Sequence, residues 1–524
     1  MRRGARTHCR QYTAVIGVTA LTAIYALSII TRPTISPEVC QAYLTLTSVK
    51  GLGEVLHKFV VHTEAWYRPL TFYLTNFIIF HLVDIHNVFM IRVLSVALIL
   101  LSGLIVISLA KRLFASSLIE CTVVFALVVT HPIYFAIAYD GSGIVDPFVN
   151  MFLNLFVICY LSLLEDDKPK LRRSLSEKSS ESAKVWLALS CCFLLLCAIT
   201  SQERGVAVYA MAGSLYLFYY WQQIRSFKLP SNTAATAVMV FCCVTFILYG
   251  RYVILFKGMW GGKDYRLDFE PTYILPNFVK CIELPFRLFF ARMGKVYDVH
   301  DEMGFNVLAF PFVVALIGYS IKIVRSDDEQ EKNRLTVLSI LFLCSLPIPV
   351  YCGGNVWHFY TAAMYVSIAT GRAVWFWLRS CNPRVQIAAL GVVFLWLSVA
   401  TVRGINQELA PGSGHLQSMT LVSKALSDKT LNNIPYMPQV VYYDTDGFGE
   451  FTWAFGGKGN LFKYLYSNPR IVEIALVHGK VLESDLALCK ETIGKTVLAF
   501  GIEIQDLSWH KIEGQNYCDG AAAK

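Results

Sequence analysis

About eleven runs of mainly apolar residues divide the first 402 residues of this chain, and they limit its fold more than any other feature. A helix of roughly 20 apolar residues spans the hydrocarbon core of a bilayer, which is close to the length of these runs. Only 16% of the residues are charged, whereas an ordinary soluble protein has about 25%. The chain is therefore predicted to be an all-α polytopic membrane protein. The runs are 13–31, 87–110, 117–132, 146–164, 185–200, 205–222, 234–256, 305–324, 335–351, 359–378 and 385–402.

Basic residues between the runs predict the orientation of the chain, because cytoplasmic loops carry an excess of Lys and Arg. The opening MRRGARTHCR is basic and its run lacks a clear cleavage site, so we expect a cytoplasmic tail and anchor rather than a signal peptide. Because successive spans cross the membrane in opposite directions, every strongly basic loop is then predicted to lie in the cytoplasm. These loops also account for the net charge of +9, so no nucleic-acid partner is predicted. They are KRLFASS, EDDKPKLRRSLSEKSSESAK, QQIRSFKLP, RSDDEQEKNR and RSCNPR.

The first outer loop is predicted to hold two helices that lie along the membrane surface. Residues 69–85 are apolar, but a crossing there would reverse the orientation of every later loop. They also contain five polar residues, which favour an interfacial helix. Residues 49–62 repeat apolar side chains at helical spacing and predict a second one. The polar residues are Thr71, Thr75, Asn76, His81 and Asp84.

The tail has a different pattern and predicts a second domain. We divide the chain into a transmembrane domain, 1–403, and a small α/β domain outside the membrane, 404–524. QVVYYDTDGFGEF, RIVEIALVHG and TVLAFGIEI are typical of strands, and GNLFKYLYS is typical of a short helix. Another long outer loop covers 257–305.

The 15 cysteines predict no metal centre. Most lie within apolar runs, where a thiol behaves as a small apolar group. Cys489 and Cys518 share the tail and would form a disulfide if that compartment is oxidising.

Four stretches on the predicted outer side share a pattern of residues. In chain order they are WYRPLTFYLTN (66–76), THPIYFAIAYDGSGIVD (130–146), TSQERGVAVYA (200–210) and GGNVWHFYTAAMY (353–365). This set resembles the GT-C class of polyprenol-dependent membrane glycosyltransferases, and most closely the O-mannosyltransferases that bear TPR repeats and their bacterial relatives. The corresponding stretches of that family contain YRPL, HPI followed by a Gly and an Asp, SKE, and ERYLY. The matching residues here are Tyr67, Arg68, Pro69, Leu70, His131, Pro132, Ile133, Gly143, Asp146, Ser201 and Glu203.

The chain departs from the family pattern at several positions. Glu38 stands alone where the family has an acidic pair, and Ala136 replaces the Glu that follows HPI. Gln202 replaces the Lys of SKE, and His358 stands in place of the Arg of ERYLY. The tail shows no TPR pattern.

The resemblance implies transfer of a sugar from a polyprenyl-phosphate carrier. The leaving phosphate gains charge in the transition state, so a cation is needed near the bilayer surface. Arg68 is the candidate, with Tyr67 and His358 as further donor-binding residues. A carboxylate must take the proton of the acceptor hydroxyl, and Glu38 is the first candidate and Asp146 the second. A single base and direct displacement would invert the anomeric centre.

Each assignment also has a structural alternative. Arg68 would serve as an interfacial cation with its charge in water, and Glu38 as a carboxylate at a helix start. Asp146 before Pro147 is typical of a helix cap, and His131 before Pro132 of a helix end. Glu203 and Arg204 lie between two runs with almost no loop, so they would pair with each other, although ionisable residues at membrane depth are functional candidates.

The acceptor is expected to be a lipid-linked or cell-surface glycan, or a protein. A bacterial inner membrane is favoured, and the endoplasmic reticulum is the alternative. A transporter or flippase of lipid-linked sugars should show paired repeats and broken helices, and neither is visible. A non-catalytic scaffold of the same architecture is a second alternative. No cofactor is predicted with certainty, and a divalent cation is left open.

Overall fold

The structure is a computed structural model of the chain, and part of the chain can be described from it. The described residues are 2–31, 43, 47, 49, 51–59, 68–131, 146–166, 180–228, 230, 232–251, 275, 278, 310–347, 350, 359–408, 439–444, 461–477, 480–481, 486, 488–489, 497–503, 508–512 and 518.

An α-helix lies in each of the eleven apolar runs. Three of the described helices, Phe89–Phe114, Pro147–Glu165 and Glu181–Ser201, have the length and apolar composition to cross a membrane. The helical nature of the runs is thus confirmed, whereas the count of eleven membrane spans stays a prediction. The helices are α1 Arg2–Ile30, α2 Leu52–His57, α3 Asn76–Leu82, α4 Val88–Phe114, α5 Leu118–Val129, α6 Asp146–Asp166, α7 Glu181–Ser201, α8 Ala207–Arg225, α9 Thr233–Tyr249, α10 Phe310–Val324, α11 Glu329–Cys344, α12 Tyr360–Leu378, α13 Pro383–Glu408 and α14 Leu461–Leu465.

Polar caps begin α5 and α11 and place a glutamate in the first turn of each. Ser117 Oγ accepts a hydrogen bond from Glu120 N at 3.2 Å, and Asp328 Oδ1 accepts one from Glu331 N at 3.0 Å. Such caps satisfy amides that have no partner within the helix. Because of its cap, α11 begins six residues before the predicted run at 335, and Glu331 is helical rather than part of a loop.

Glu120 and Glu331 meet Arg372 of α12 in a buried ion-pair network. Arg372 Nη1 lies 3.0 Å from Glu120 Oε2, and its Nη2 lies 2.7 Å from Glu331 Oε1. Tyr319 of α10 also donates a hydrogen bond to Glu331 Oε1, at 2.7 Å. The network therefore joins α5, α10, α11 and α12 at one end of the bundle, which we call the ion-pair end.

Gly371 lets α12 approach α5 closely beside this network. A Cβ atom at Gly371 would lie 2.5 Å from Val124 Cγ2. Residues Tyr360 to Ile368 of α12 are all buried, so this helix runs through the core of the bundle.

The first loop forms two short helical segments, as predicted. One is α2, and the other is a π-helical turn, Pro69–Thr75, that continues into α3. Buried Val55 and Tyr73 pack together, and Lys58 Nζ lies 5.3 Å from the centroid of the Tyr73 ring. That these two helical segments lie along a membrane surface stays a prediction.

Within the described part of the tail, five strands form one mixed sheet with the order β3-β2-β1-β4-β5. The central strands β2, β1 and β4 are parallel, and both edge strands are antiparallel to their neighbours. The predicted disulfide between Cys489 and Cys518 is present, with an S–S distance of 2.00 Å. The described part of the tail thus contains a sheet and a short helix, whereas a separate α/β domain and its boundary at 403/404 stay predictions. The strands are β1 Val440–Asp444, β2 Val472–Val477, β3 Lys480–Val481, β4 Val497–Glu503 and β5 Ser508–Ile512.

The tail contacts the end of the first loop through α14. Tyr464 donates a hydrogen bond to the carbonyl oxygen of Ile85 at 2.9 Å, and its ring packs on Tyr43 and His86. The sheet and the first loop therefore lie at the same end of the helices.

Candidate functional site

The ends of several helices gather opposite the ion-pair end and carry the sequence motifs. Arg372, late in α12, pairs with Glu120, early in α5, so the two helices run antiparallel. The end of α5 therefore lies at the same end of the bundle as the beginning of α12. The long antiparallel packing of α6 on α7 likewise brings Asp146 and Ser201 to one end. We call this region the motif end.

A hydrogen bond connects the first motif to the third. Thr71 Oγ1 donates to the carbonyl oxygen of Ser201 at 2.6 Å, and both residues are fully buried. Ser201 is the last residue of α7, so the bond satisfies a helix-end carbonyl. Arg68 precedes the π-helical turn and is half-buried. Two motifs 130 positions apart are thus held side by side.

The third motif forms a tight turn that buries Arg204. The turn is a 3₁₀ helix, Glu203–Val206, and Arg204 is 3% exposed. Arg204 Nε donates to Gln202 Oε1 at 2.9 Å. Gln202 stands where the related family has Lys, and it supplies a neutral acceptor to the guanidinium. The structure therefore shows Arg204 with an amide partner that the sequence did not predict.

Gly205 presses this turn against α7. A Cβ atom at Gly205 would lie 1.9 Å from the carbonyl oxygen of Ala198. Only glycine fits there, because a backbone carbonyl cannot move aside as the end of a side chain can. The motif SQERG contains Gly205, but nothing in the sequence indicated that this glycine contacts Ala198.

His131 and Asp146 lie at helix ends, as their prolines predicted. His131 is fully buried, and its backbone amide donates to the Val128 carbonyl at 3.1 Å. Asp146 is the first residue of α6, and Pro147 follows it in the first turn. These positions agree with the structural alternatives and leave the functional assignments as predictions.

Buried amides fix the beginning of α6 beside the beginning of α12. Asn150 Oδ1 accepts a hydrogen bond from Thr361 Oγ1. One turn further along α6, Asn154 Nδ2 lies 3.3 Å from Met364 Sδ. The sequence analysis missed these residues, although two amides four positions apart in an apolar run were a visible signal. They bring Asp146 close to the point where the fourth motif enters α12.

Some of the predicted site residues fall outside the described part of the chain. Glu38, Tyr67 and His358 lie outside the described residues, and for Asp146 and Glu203 only the backbone is described. Their roles stay predictions. Among the described side chains, no three metal-ligating groups lie together, and the divalent cation remains open.

No protein-family profile and no curated protein sequence matches the chain. A structural comparison finds two solved structures. ArnT from Cupriavidus metallidurans bound to undecaprenyl phosphate has a TM-score of 0.50 and 13% identity, with 94% of this chain and 93% of ArnT covered. The archaeal oligosaccharyltransferase AglB from Archaeoglobus fulgidus, in complex with an inhibitory peptide and a dolichol-phosphate, has a TM-score of 0.48 and 11% identity, with 87% and 64% covered. The ArnT comparison confirms the GT-C-like fold that the resemblance implied.

Proposed function

We propose that the protein is a membrane glycosyltransferase. It transfers a sugar from a polyprenyl-phosphate carrier to a lipid-linked or cell-surface glycan, or to a protein, at the outer face of a membrane. A bacterial inner membrane is the favoured location. The observation that carries the proposal is the hydrogen bond from Thr71 Oγ1 to the Ser201 carbonyl oxygen. It brings the first and third motifs into contact, whereas the sequence alone predicted only that both lie on the outer side of the membrane.

Other features of the motif end support the same function. Arg68 lies three residues before Thr71 and is half-buried. Partial burial strengthens the attraction of a cation for phosphate. Arg204 adds a second, buried guanidinium at this end. The fold likeness to ArnT, a structure bound to undecaprenyl phosphate, agrees with a carrier of this class.

The proposed reaction is one direct displacement. The acceptor oxygen forms a bond to the anomeric carbon of the sugar, and the bond from that carbon to the phosphate oxygen breaks. The bonding pair leaves with the phosphate, whose growing charge Arg68 stabilises, with Tyr67 and His358 as further donor contacts. The acceptor proton passes to a carboxylate, Glu38 in the first instance and Asp146 in the second. The anomeric configuration inverts.

The test uses purified protein in liposomes with a panel of radiolabelled polyprenyl-phosphate sugars. Sugar released from the carrier and donor binding are measured separately for wild type, Glu38→Gln and Arg68→Ala. We expect wild type to turn over one donor, and both variants to lose about 100-fold or more in rate, the contribution of a general base or a charge stabiliser. Only Arg68→Ala should also weaken donor binding.

Two exposed positions supply matched controls. Glu54→Gln removes a carboxylate from the first loop, and Arg384→Ala removes a cation from an exposed position at the beginning of α13. Neither should change turnover. If wild type binds no donor and releases no sugar, the enzyme proposal is wrong, and a scaffold or transporter takes its place.

A further inference from the structure

A small polar notch lies at the ion-pair end of the bundle, opposite the motif end. It is formed by the last turns of α4 and α6, by α8 and by the beginning of α11. Its free space is about 10 Å³, which is room for one water-sized group. Two buried apolar side chains form part of its wall, and the rest of the wall is polar or charged. We call it the arginine notch, and its polar residues are Arg112, Glu165, Tyr219, Asn333 and Arg334.

Arg334 brings hydrogen-bond donors to the arginine notch that the described protein does not use. Its side chain is 18% exposed, and its Nη1 lies 3.8 Å from Glu331 Oε2. That distance allows attraction but is too long for a hydrogen bond. Glu331 also lies 2.7 Å from Arg372, so Arg334 is the weaker of its two arginine partners. Among the residues that the structure describes, the Arg334 guanidinium donates no hydrogen bond.

Arg112 lines the same notch from α4 and also keeps a donor unused. Its Nη2 lies 2.6 Å from Glu165 Oε2, and the Tyr219 hydroxyl donates to Glu165 Oε1 at 3.4 Å. Its Nε is buried and has no hydrogen-bond partner within the described part of the chain. A buried donor without an acceptor lowers stability. The arginine notch therefore has more hydrogen-bond donors than acceptors, and an oxyanion would complete it.

We propose that the arginine notch binds one phosphate group. Its two guanidinium groups come from different helices, α4 and α11. A tetrahedral phosphate offers oxygens in several directions, whereas a carboxylate offers two in one plane, and arginine donates to phosphate with short, charge-assisted bonds. Because the notch has room for one oxygen, the rest of the phosphate lies at its mouth. Glu165 is already engaged by Arg112 and Tyr219, which limits its repulsion of the anion.

The position of the notch favours the headgroup of an anionic phospholipid. Arg112 belongs to the segment KRLFASS, and Asn333 and Arg334 belong to RSDDEQEKNR, both of which are predicted to be cytoplasmic loops. Anionic lipids are concentrated in the cytoplasmic leaflet, and basic pockets between helices on that side bind their headgroups. A free phosphate ion shares the same chemistry, so the experiment has to distinguish the two sources. The inference is independent of sugar transfer, because the notch contains no residue of the motif end.

The test measures the binding of phosphate-bearing probes to the purified full-length protein in a non-ionic detergent. Native mass spectrometry compares phosphatidylglycerol with diacylglycerol of the same chains, which lacks the phosphate. Melting curves compare inorganic phosphate with chloride at equal ionic strength. We expect phosphatidylglycerol to bind about tenfold more tightly than diacylglycerol, because charge-assisted hydrogen bonds to the phosphate are added.

Substitutions in the notch localise the site. Arg334→Gln removes one guanidinium without breaking a hydrogen bond of the described structure, and it should weaken phosphatidylglycerol binding about tenfold. Arg112→Lys keeps a positive charge beside Glu165 but removes the Nε donor, so it tests the site even if Arg334→Gln unfolds, which the melting curve detects. Lys332→Gln is the matched control, because Lys332 lies on the same helix, pairs with Glu329 at 2.9 Å and does not line the notch.

The outcomes identify the source of the phosphate or reject the site. Weaker phosphatidylglycerol binding in Arg334→Gln but not in Lys332→Gln would support a headgroup site, and the same pattern with inorganic phosphate alone would support a site for free phosphate. An equal loss in Lys332→Gln would mean a general attraction of the basic surface and would overturn the inference. Equal binding to wild type, Arg334→Gln and Arg112→Lys would also overturn it, as would a wild type that prefers neither phosphate-bearing probe over its control.

Discussion

The two ends of the helix bundle use charged groups in different ways. At the ion-pair end, Arg372 bridges two carboxylates, and the side chains of Arg372, Glu120 and Glu331 are 8%, 1% and 6% exposed. Opposite charges meet there within one network. At the motif end, Arg204 donates to a neutral amide and Thr71 to a backbone carbonyl. The comparison indicates that ion pairs join the helices at one end, whereas the hydrogen bonds described at the other end run to an amide and to a backbone carbonyl.

The largest effect is expected from breaking the ion-pair network. Arg372→Ala leaves Glu120 and Glu331 buried without the cation that bridges them, which costs about 3–5 kcal/mol in comparable buried pairs. We expect most of the protein to lose its folded, monodisperse form in detergent, as measured by size exclusion and thermal unfolding. Arg325→Ala, at an exposed position that follows α10, is the control.

A compensated variant sharpens this prediction. Glu120→Gln, Glu331→Gln and Arg372→Met together remove the three buried charges and leave only Arg334, which lies 3.8 Å from Glu331 and is partly exposed, so much of the lost stability should return. If Arg372→Ala alone unfolds at the temperature of wild type, the ion-pair end does not hold the bundle together and the comparison is wrong.

The tail sheet contains a buried carboxylate that accepts a hydrogen bond from a backbone amide, and it extends the comparison. Glu473 on β2 is 3% exposed, and its Oε1 accepts a hydrogen bond from the backbone amide of Lys463 at 2.7 Å. Its Oε2 receives no hydrogen bond from the residues that the structure describes. Burial raises the pKa of this carboxyl to about 8, although the Lys463 amide acts in the opposite direction.

The raised pKa predicts that the sheet loses stability as the pH rises from about 4.5 to about 8. The folded sheet holds a proton that the unfolded chain releases near the ordinary value of 4.5. The stabilisation is complete below that value and is lost as the pH rises to about 8, by about 1.4 kcal/mol per pH unit at most. Amide hydrogen exchange of β1, β2 and β4 in the full-length protein measures it. Glu473→Gln should flatten the pH dependence, and equal slopes for both proteins would contradict the prediction.

The motif end should be sensitive to the shape of its backbone. Gly205→Ala forces a Cβ against the Ala198 carbonyl, and overpacking of this kind costs about 1–3 kcal/mol. The turn must shift from α7 and carry Arg204 with it, so donor binding should fall more than the melting temperature suggests. Gly391→Ala is the control, because no atom lies within 4 Å of the added Cβ. Unchanged donor binding in Gly205→Ala would mean that Arg204 takes no part in binding the donor.

The sequence predicted the helices better than their contacts. Run length located the helices, and prolines located the ends at Asp146 and His131. The sequence did not reveal the ion-pair network, because Glu331 lies in a predicted basic loop and Glu120 lies near the edge of an apolar run. It also missed the contact of Asn150 with Thr361, which are 211 positions apart. Apolar periodicity shows that a helix is buried but not which helix lies beside it, so contacts between distant segments had to come from the structure.

The smallest effect tests the link between the first and third motifs. Thr71→Val keeps the shape of the side chain but removes the hydrogen bond to the Ser201 carbonyl, which leaves a buried helix-end acceptor without this donor. The free energy of unfolding should fall by about 1 kcal/mol if water reaches the carbonyl, and by up to about 3 kcal/mol if it does not.

Activity distinguishes a positioning role of Thr71 from a purely structural one. If the bond aligns Arg68 with the turn that carries Arg204, Thr71→Val should weaken binding of the polyprenyl-phosphate donor while Thr200→Val does not. Thr200 is the matched control, because it lies at the same end of α7 and its hydroxyl bonds within its own helix, to the Leu196 carbonyl at 2.6 Å. Equal donor binding in both variants would mean that the contact only packs the loop, and that the neutral contacts of the motif end serve stability just as the ion pairs do at the other end.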